Sequence, residues 1–138
     1  MRNGSKARYA LAALVDLAMQ QSRRPTALAD IAQRQKISVS YLEQLFARLR
    51  QAGVIRSVRG PGGGYVLARP AREIAIGEIC AAVGDSDPMA TSVGSPAVQA
   101  RTRALWRQVD TETVKVLNRI SLQQVLDGAD GGLGDAAA

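Results

Sequence analysis

Side chains suited to reading the edges of nucleic-acid bases cluster between residues 38 and 44. The segment contains two hydroxyls, a phenol, a carboxylate and an amide, at Ser38, Ser40, Tyr41, Glu43 and Gln44. Glutamine can pair bidentately with adenine, and a glutamate carboxylate can accept from cytosine. Ser38 and Tyr41, near a helix start, also suit phosphate. The competing interpretation is a solvated helix face without a specific role, which is the more common origin of such a pattern.

A glycine-rich segment follows, and one long side chain leads into it. Arg59 precedes the run Gly60–Gly64, and Arg56 and Tyr65 flank the segment where they could reach a DNA backbone. A slim loop that begins with Arg59 and Gly60 could enter the narrow minor groove of DNA, because the negative potential there attracts a guanidinium group. A flexible hairpin is one alternative. A phosphate-cradling loop is another, but it requires a helix after the glycines, and a β-type run follows here.

Hydrophobic periodicity predicts three helices that would position these segments. The first extends from about residue 5 to residue 20, is interrupted by Asp16, and buries Ala7, Leu11, Leu14, Val15 and Ala18. Thr26 can cap a second helix, whose apolar face holds Leu28, Ile31 and Ala32. The third extends to about Ala52 before Gly53, and its buried stripe is Leu42, Leu45, Phe46 and Leu49. Ser38 or Ser40 could cap it, and Ser40 has capping-box spacing to Glu43.

The period then changes from helical to extended. The extended patterns at 54–58 and 65–68 predict the two strands of a hairpin around the glycine-rich loop, and Pro70 ends the hairpin. Helices followed by a hairpin in this order predict a winged helix-turn-helix within residues 1–83. The fold class is therefore mainly α with a small β-hairpin.

The second half predicts a long helix for dimerisation. A short helix covers 76–83, an irregular loop covers 84–96, and residues 97–127 form the long helix and a final turn, for which Ser121 and Gln124 have capping-box spacing. The tail 128–138 has little to bury and is expected to be mobile. One side of the long helix carries a stripe that is more apolar than a monomer needs to expose, so we expect a homodimer. The residues expected at its centre are Leu105, Trp106, Val109, Val116 and Leu117.

Charge is distributed unevenly along the chain. Residues 1–70 contain 12 of the 18 Lys and Arg residues but 3 of the 12 Asp and Glu residues, a net charge of +9, whereas residues 71–138 carry −3. A basic half joined to a mildly acidic one indicates a polyanionic partner such as double-stranded DNA. The alternative is that the arginines only keep the protein surface soluble, which would produce the same difference in charge between the two halves.

The composition excludes several classes of protein. One cysteine cannot form an internal disulfide, which indicates a reducing, cytoplasmic setting. No apolar stretch is long enough to span a membrane. The chain has no histidine and no plausible nucleophile–base pair, so an enzyme is not expected. A winged helix used only as a protein-interaction module, without specific DNA binding, stays open as the alternative function.

The motifs together resemble the IscR-type transcription regulators of iron–sulfur cluster biogenesis. The resemblance covers about residues 1–127 and is carried by Ser38–Phe46, Ser57–Tyr65, Lys6–Ala10, Leu28–Ala32 and Ala104–Arg107. It implies a homodimeric winged-helix regulator, expected to be a repressor, that binds a palindromic promoter site of iron–sulfur or stress-related genes. It also implies minor-groove insertion by Arg59 and base or backbone contacts from Ser38, Ser40, Tyr41, Glu43 and Gln44.

The sequence departs from the family in the segment that would hold the family's iron–sulfur cluster. The family holds a 2Fe–2S cluster with three cysteines and a histidine before the Ala-Leu-Trp motif, and the histidine position is Arg103 here. The rest of that segment contains Met89, Ala90, Ser92, Ser95, Ala97 and Ala100. These side chains do not replace thiolate or imidazole as iron ligands. Cys80 shares a predicted core face with Ile76, Ile79 and Val83, which favours a packing role for its thiol. Because the chain has no other cysteine and no histidine, no cofactor is expected.

Overall fold

The computed structural model describes residues 5–20, 24–84 and 93–128, and it confirms a mainly helical fold with a small hairpin. The helices are α1 (Ser5–Met19), α2 (Leu28–Gln35), α3 (Val39–Gln51), α4 (Ile76–Val83), α5 (Pro96–Asn118) and α6 (Leu122–Leu126). Strands β1 (Ile55–Val58) and β2 (Gly64–Leu67) form an antiparallel pair, and a short 3₁₀ turn covers Ala71–Glu73. Among the described helices, none has the length and apolarity needed to cross a membrane.

Helices α2 and α3 form the helix-turn-helix through a tight turn. α2 ends at Lys36, which adopts the left-handed conformation with φ of 57°, and Ile37 then enters the core. Ser38 caps α3 by accepting a hydrogen bond from the Tyr41 amide at 3.2 Å. The predicted capping box from Ser40 does not form, because Ser40 already lies inside the first turn of α3.

Thr26 does not cap α2, so that prediction was wrong. The cap position is Ala27, and it makes no side-chain hydrogen bond. The buried Thr26 instead exchanges both backbone hydrogen bonds with Tyr65 of β2, at 3.0 and 2.8 Å. A Cβ at Gly64 would collide with the Thr26 carbonyl oxygen. Glycine at this position is therefore what allows the hairpin to lie against the start of α2.

The core lies between the first four helices and the base of the hairpin. The predicted stripe of α3 is fully buried, and α1 adds Ala10, Ala13, Leu14 and Leu17. Ile79 and Val83 of α4 complete the core, and Cys80 packs at its edge, half-buried. Burial of each large aliphatic side chain stabilises the fold by about 1.5–3 kcal/mol.

The chain returns to this core after α5. The Ile76 amide donates to the Ile120 carbonyl at 2.8 Å, and the Leu122 amide donates to the Ile74 carbonyl at 2.8 Å. The predicted capping box of Ser121 and Gln124 starts α6, which buries Leu122. The predicted irregular loop falls mostly on residues 85–92 and the predicted mobile tail on 129–138, and both ranges lie outside the described residues.

Candidate nucleic-acid interface

Helix α3 presents the predicted reading residues on its outer face. Ser40, Glu43 and Gln44 are exposed, because the opposite face packs into the core through the stripe centred on Leu42 and Leu49. No described residue engages these three side chains, so their donors and acceptors face solvent. A polar helix face of this kind can contact base edges once the helix enters the major groove.

Tyr41 is held in place at the start of α3. It is half-buried, and its ring contacts the ring of Tyr9 on α1 edge to face, with centroids 5.6 Å apart and planes at 88°. Such pairs contribute about 0.5–1.5 kcal/mol beyond the area that they bury. Tyr9, which sequence reasoning did not select, therefore fixes the orientation of a predicted DNA-contacting side chain.

The hairpin forms a slim wing with Arg59 beside its tip. Strand pairing ends at Val58 and Gly64, and the Gly63 amide donates to the Gly60 carbonyl at 2.8 Å, which closes the turn. Proline followed by Gly62 with φ of 73° is the pattern of a type II turn, in which the third position requires glycine. Arg59 is exposed and forms no ion pair with any described residue. The wing therefore presents one guanidinium on a narrow loop.

The two residues that flank the wing have different environments. Arg56 is exposed on β1, opposite Val66, on the outer side of the hairpin. The half-buried Tyr65 contacts Phe46 edge to face, with ring centroids 5.1 Å apart. Tyr65 therefore attaches the wing to α3 through its ring, and a phosphate contact from its hydroxyl stays a prediction.

An ion pair between a buried carboxylate and a partly exposed guanidinium links α1 to α2, and sequence reasoning missed it by treating Asp16 as a break in an apolar run. The Asp16 carboxylate accepts from Arg34 at 2.9 and 2.7 Å and from Gln35 at 2.7 Å. Burial alone would raise the pKa of Asp16, but these hydrogen bonds and the Arg34 charge outweigh it and lower that pKa below 3.8. The pair fixes the end of α2 just before the turn into α3.

Helix α5 has no fully buried residue along its 23 positions. Leu105 and Trp106 are each 54% exposed, and Val116 is 36% exposed. Leu105, Val116 and the half-buried Val109 border a shallow groove on the helix surface, and Trp106 lies outside it. Leu117 differs from the others, because it packs against the core of its own chain where α5 meets α4.

The comparisons with known proteins identify the family. The model of the Rrf2 family, described as an iron-dependent transcriptional regulator, matches residues 4–128. The chain belongs to the Rrf2 family. The HTH-type transcriptional regulator IscR of Cronobacter sakazakii is 46% identical over 140 residues, which cover 94% of this chain and 86% of that protein. The IscR of Escherichia coli is 44% identical over 134 residues, which cover 94% and 83%.

Solved structures of Rrf2-type regulators share the fold. IscR of T. potens aligns with a TM-score of 0.73 and 36% identity over 92% of this chain and 87% of that one. CymR, the global cysteine regulator of B. subtilis, aligns with a TM-score of 0.73 and 32% identity over 94% and 99%. These relatives are regulators, which confirms the predicted class: this Rrf2 protein is a DNA-binding transcription regulator and not an enzyme.

The residues present do not fit a 2Fe–2S cluster. The whole chain has one cysteine and no histidine, and Cys80 lies half-buried on α4, where burial raises the pKa of its thiol. Ser95, in the family's ligand segment, caps α5 by accepting from the Val98 amide at 3.4 Å. Met89, Ala90 and Ser92 lie outside the described residues. In the described ranges, no three metal-binding side chains come together.

Proposed function

We propose that this regulator binds a palindromic promoter site in double-stranded DNA as a homodimer and represses transcription there. The observation that supports the proposal most strongly is Arg59, which is exposed beside a wing loop that is otherwise almost free of side chains, in a chain that also exposes the polar face of α3. The target genes proposed are those of iron–sulfur metabolism or stress, on the strength of the IscR relatives. The protein would act in the cytoplasm, beside the DNA.

The two elements would contact DNA in different ways. The start of α3 would enter the major groove, where Ser40, Glu43 and Gln44 read base edges. Arg59 would enter the adjacent minor groove, where a narrow groove strengthens the negative potential. Ser38, Tyr41 and Arg56, together with Gly60 and Tyr65 at the ends of the wing loop, would contact the backbone and set the register without reading sequence.

The second copy would cover α5. At 1.5 Å per residue its 23 residues span about 34 Å, and a helix of that length without a buried residue needs a partner for its apolar side. Leu105, Trp106, Val109 and Val116 would form the centre of a two-fold interface. Leu117 is left out because it already packs in its own core. Two-fold pairing would present two α3 helices about one DNA turn apart.

We also propose that the regulator works without a cluster. Four thiolate or imidazole ligands are needed for a cluster of the family's kind, and the chain supplies Cys80 alone. Its DNA binding would then be fixed in one state, or would respond to abundance or to another ligand.

Titration of Arg59→Ala against the wild type tests the DNA-binding geometry. The substitution should weaken binding by about 1–3 kcal/mol and reduce the slope of log affinity against log salt by about one, because one guanidinium leaves the DNA. Arg119→Ala is the matched control, since it removes another exposed arginine that the proposed DNA interface does not use. Equal effects of the two substitutions would contradict the minor-groove role. Weak binding of the wild type to every duplex would instead favour the protein-interaction alternative.

A further inference from the structure

Arg69 ties three parts of the molecule together at the base of the wing. It follows β2, and its Nε donates to the Gly53 carbonyl at 3.4 Å, where the chain leaves α3. Its Nη1 donates to the Glu73 carbonyl at 3.0 Å. Its Nη1 and Nη2 also reach the Glu78 carboxylate at 3.5 and 2.8 Å. All three guanidinium nitrogens are thus engaged within the chain.

Glu78 extends this connection to the long helix. Its Oε2 accepts from the Ala75 amide at 2.9 Å, so the carboxylate also caps α4. The residues on either side of Ala75 carry the two backbone hydrogen bonds to Ile120 and Leu122, which fix the end of α5. The side chains of Arg69 and Glu78 therefore connect the end of α3, the base of the wing and the start of α4, and the backbone on either side of Ala75 continues this connection to the end of α5.

We propose that this pair, the Arg69–Glu78 joint, positions the wing relative to α3 and the long helix and so sets the specificity of DNA binding without touching DNA. The inference rests on the proposed interface of α3 and Arg59. Each four-residue strand is about 13 Å long, so a rotation of roughly 10° at the base would move the wing tip by about 2 Å. A displacement of that size breaks a hydrogen bond, which tolerates only a few tenths of an ångström.

The opposing interpretation is that Arg69 is one more phosphate contact of the basic half. The Glu78 carboxylate neutralises its charge, and its donors already have acceptors in the chain. The two interpretations predict effects on different quantities when Glu78 is changed. Removing a negative charge strengthens the attraction to DNA in general, whereas opening the joint weakens the discrimination between sites.

The experiment measures the affinities of five proteins for two duplexes, one selected by the wild type from a random pool and one scrambled. The proteins are the wild type, Glu78→Gln, Arg69→Gln, the double variant with both of these changes, and Glu73→Gln. Glu73→Gln is the matched control, because it changes the same charge on an exposed side chain outside the joint. Thermal unfolding confirms that each variant is folded at the temperature of the titration.

We expect Glu78→Gln and Arg69→Gln each to lower the ratio of specific to non-specific affinity by about three- to tenfold, and the double variant to lower it no further. Arg69→Gln should leave the salt slope unchanged, and Glu73→Gln should keep the wild-type ratio. The joint is refuted if Glu78→Gln behaves like Glu73→Gln, or if Arg69→Gln reduces the slope by about one, as loss of a phosphate contact does. A wild type without preference between the duplexes would refute the proposed function itself.

Discussion

The buried carboxylate of Asp16 offers a sharp test of how α1 holds the helix-turn-helix. Asp16→Asn keeps the shape of the side chain and removes its charge. The side chain of Asp16 is 2% exposed, and that of Arg34 is 40% exposed. The amide would turn one donor towards the donors of Arg34 and Gln35, so one of the three hydrogen bonds is lost and the others weaken.

The expected loss of stability follows from these contacts. A hydrogen bond to a charged group contributes about 1.5–3 kcal/mol and a neutral one about 0.5–1.5 kcal/mol. Breaking a fully buried ion pair costs about 3–5 kcal/mol, but here Arg34 can rehydrate, which reduces the cost. We expect Asp16→Asn to lower the free energy of unfolding by about 2–3 kcal/mol, a fall in Tm of roughly 6–15 °C for a chain of this size.

The same carboxylate predicts a pH dependence. Because the folded pKa of Asp16 lies below its ordinary value of 3.8, the stabilisation is complete above that value and is lost as pH falls through the folded pKa. Asp16→Asn lacks this contribution at every pH. The stability curves of the wild type and the variant should therefore differ most near neutral pH and converge in acid.

Denaturant unfolding at fixed protein concentration, from pH 7 down to about pH 2, measures both effects. Asp30→Asn is the control, because it removes an exposed aspartate from α2 with the same change of charge. The reasoning is refuted if Asp16→Asn costs no more than Asp30→Asn, or if the gap between wild type and variant stays constant in acid.

Four further predictions concern reading, assembly, strain and metal. Gln44→Ala should weaken binding to the selected duplex by about 1–3 kcal/mol and change non-specific binding less, and equal losses in parallel titrations would make Gln44 a positioning residue. Leu105→Glu should convert a dimer into a folded monomer by light scattering and circular dichroism, and an unchanged dimer would contradict the α5 interface. Lys36→Gly should raise the free energy of unfolding by about 0.5–1 kcal/mol in denaturant titrations, because the strain of a positive φ exceeds the added chain entropy, and a loss would contradict this. Protein purified anaerobically with iron and sulfide should stay colourless and bind DNA equally with and without oxygen, whereas stoichiometric iron with charge-transfer bands would reveal ligands other than Cys80.

Local sequence patterns predicted the elements that depend on neighbours in the chain. The stripe of α3 predicted its buried face, because side chains three and four residues apart share one side of a helix. The range 76–83 matches α4, and the box of Ser121 and Gln124 starts α6 as expected. Arg59 and the glycines were recognisable because the chemistry of a turn depends on adjacent residues.

Features that depend on distant partners could not be predicted this way. Thr26 looked like a helix cap because of its residue type, but its backbone partner is Tyr65 on the hairpin. Asp16 was interpreted as an interruption of an apolar run because its partner Arg34 lies on the next helix, 18 residues later in the sequence. The roles of Tyr9 and Arg69 likewise arise from tertiary contacts. A short break between α2 and α3 was expected at residues 36–38, but the left-handed conformation of Lys36 is one that sequence patterns assign to glycine, so its residue type did not reveal the geometry of the turn.

Selection of bound duplexes from a random DNA pool tests the central claim most directly, because the protein itself chooses the target sequence. A homodimer that reads with α3 should enrich two half-sites related by two-fold symmetry, with centres about 10 base pairs apart. Narrow, A·T-rich minor grooves should flank or separate them where Arg59 inserts. Enrichment of a single unpaired half-site would contradict the dimer. A pool that stays random, with retention that disappears uniformly as salt rises, would contradict sequence-specific binding altogether.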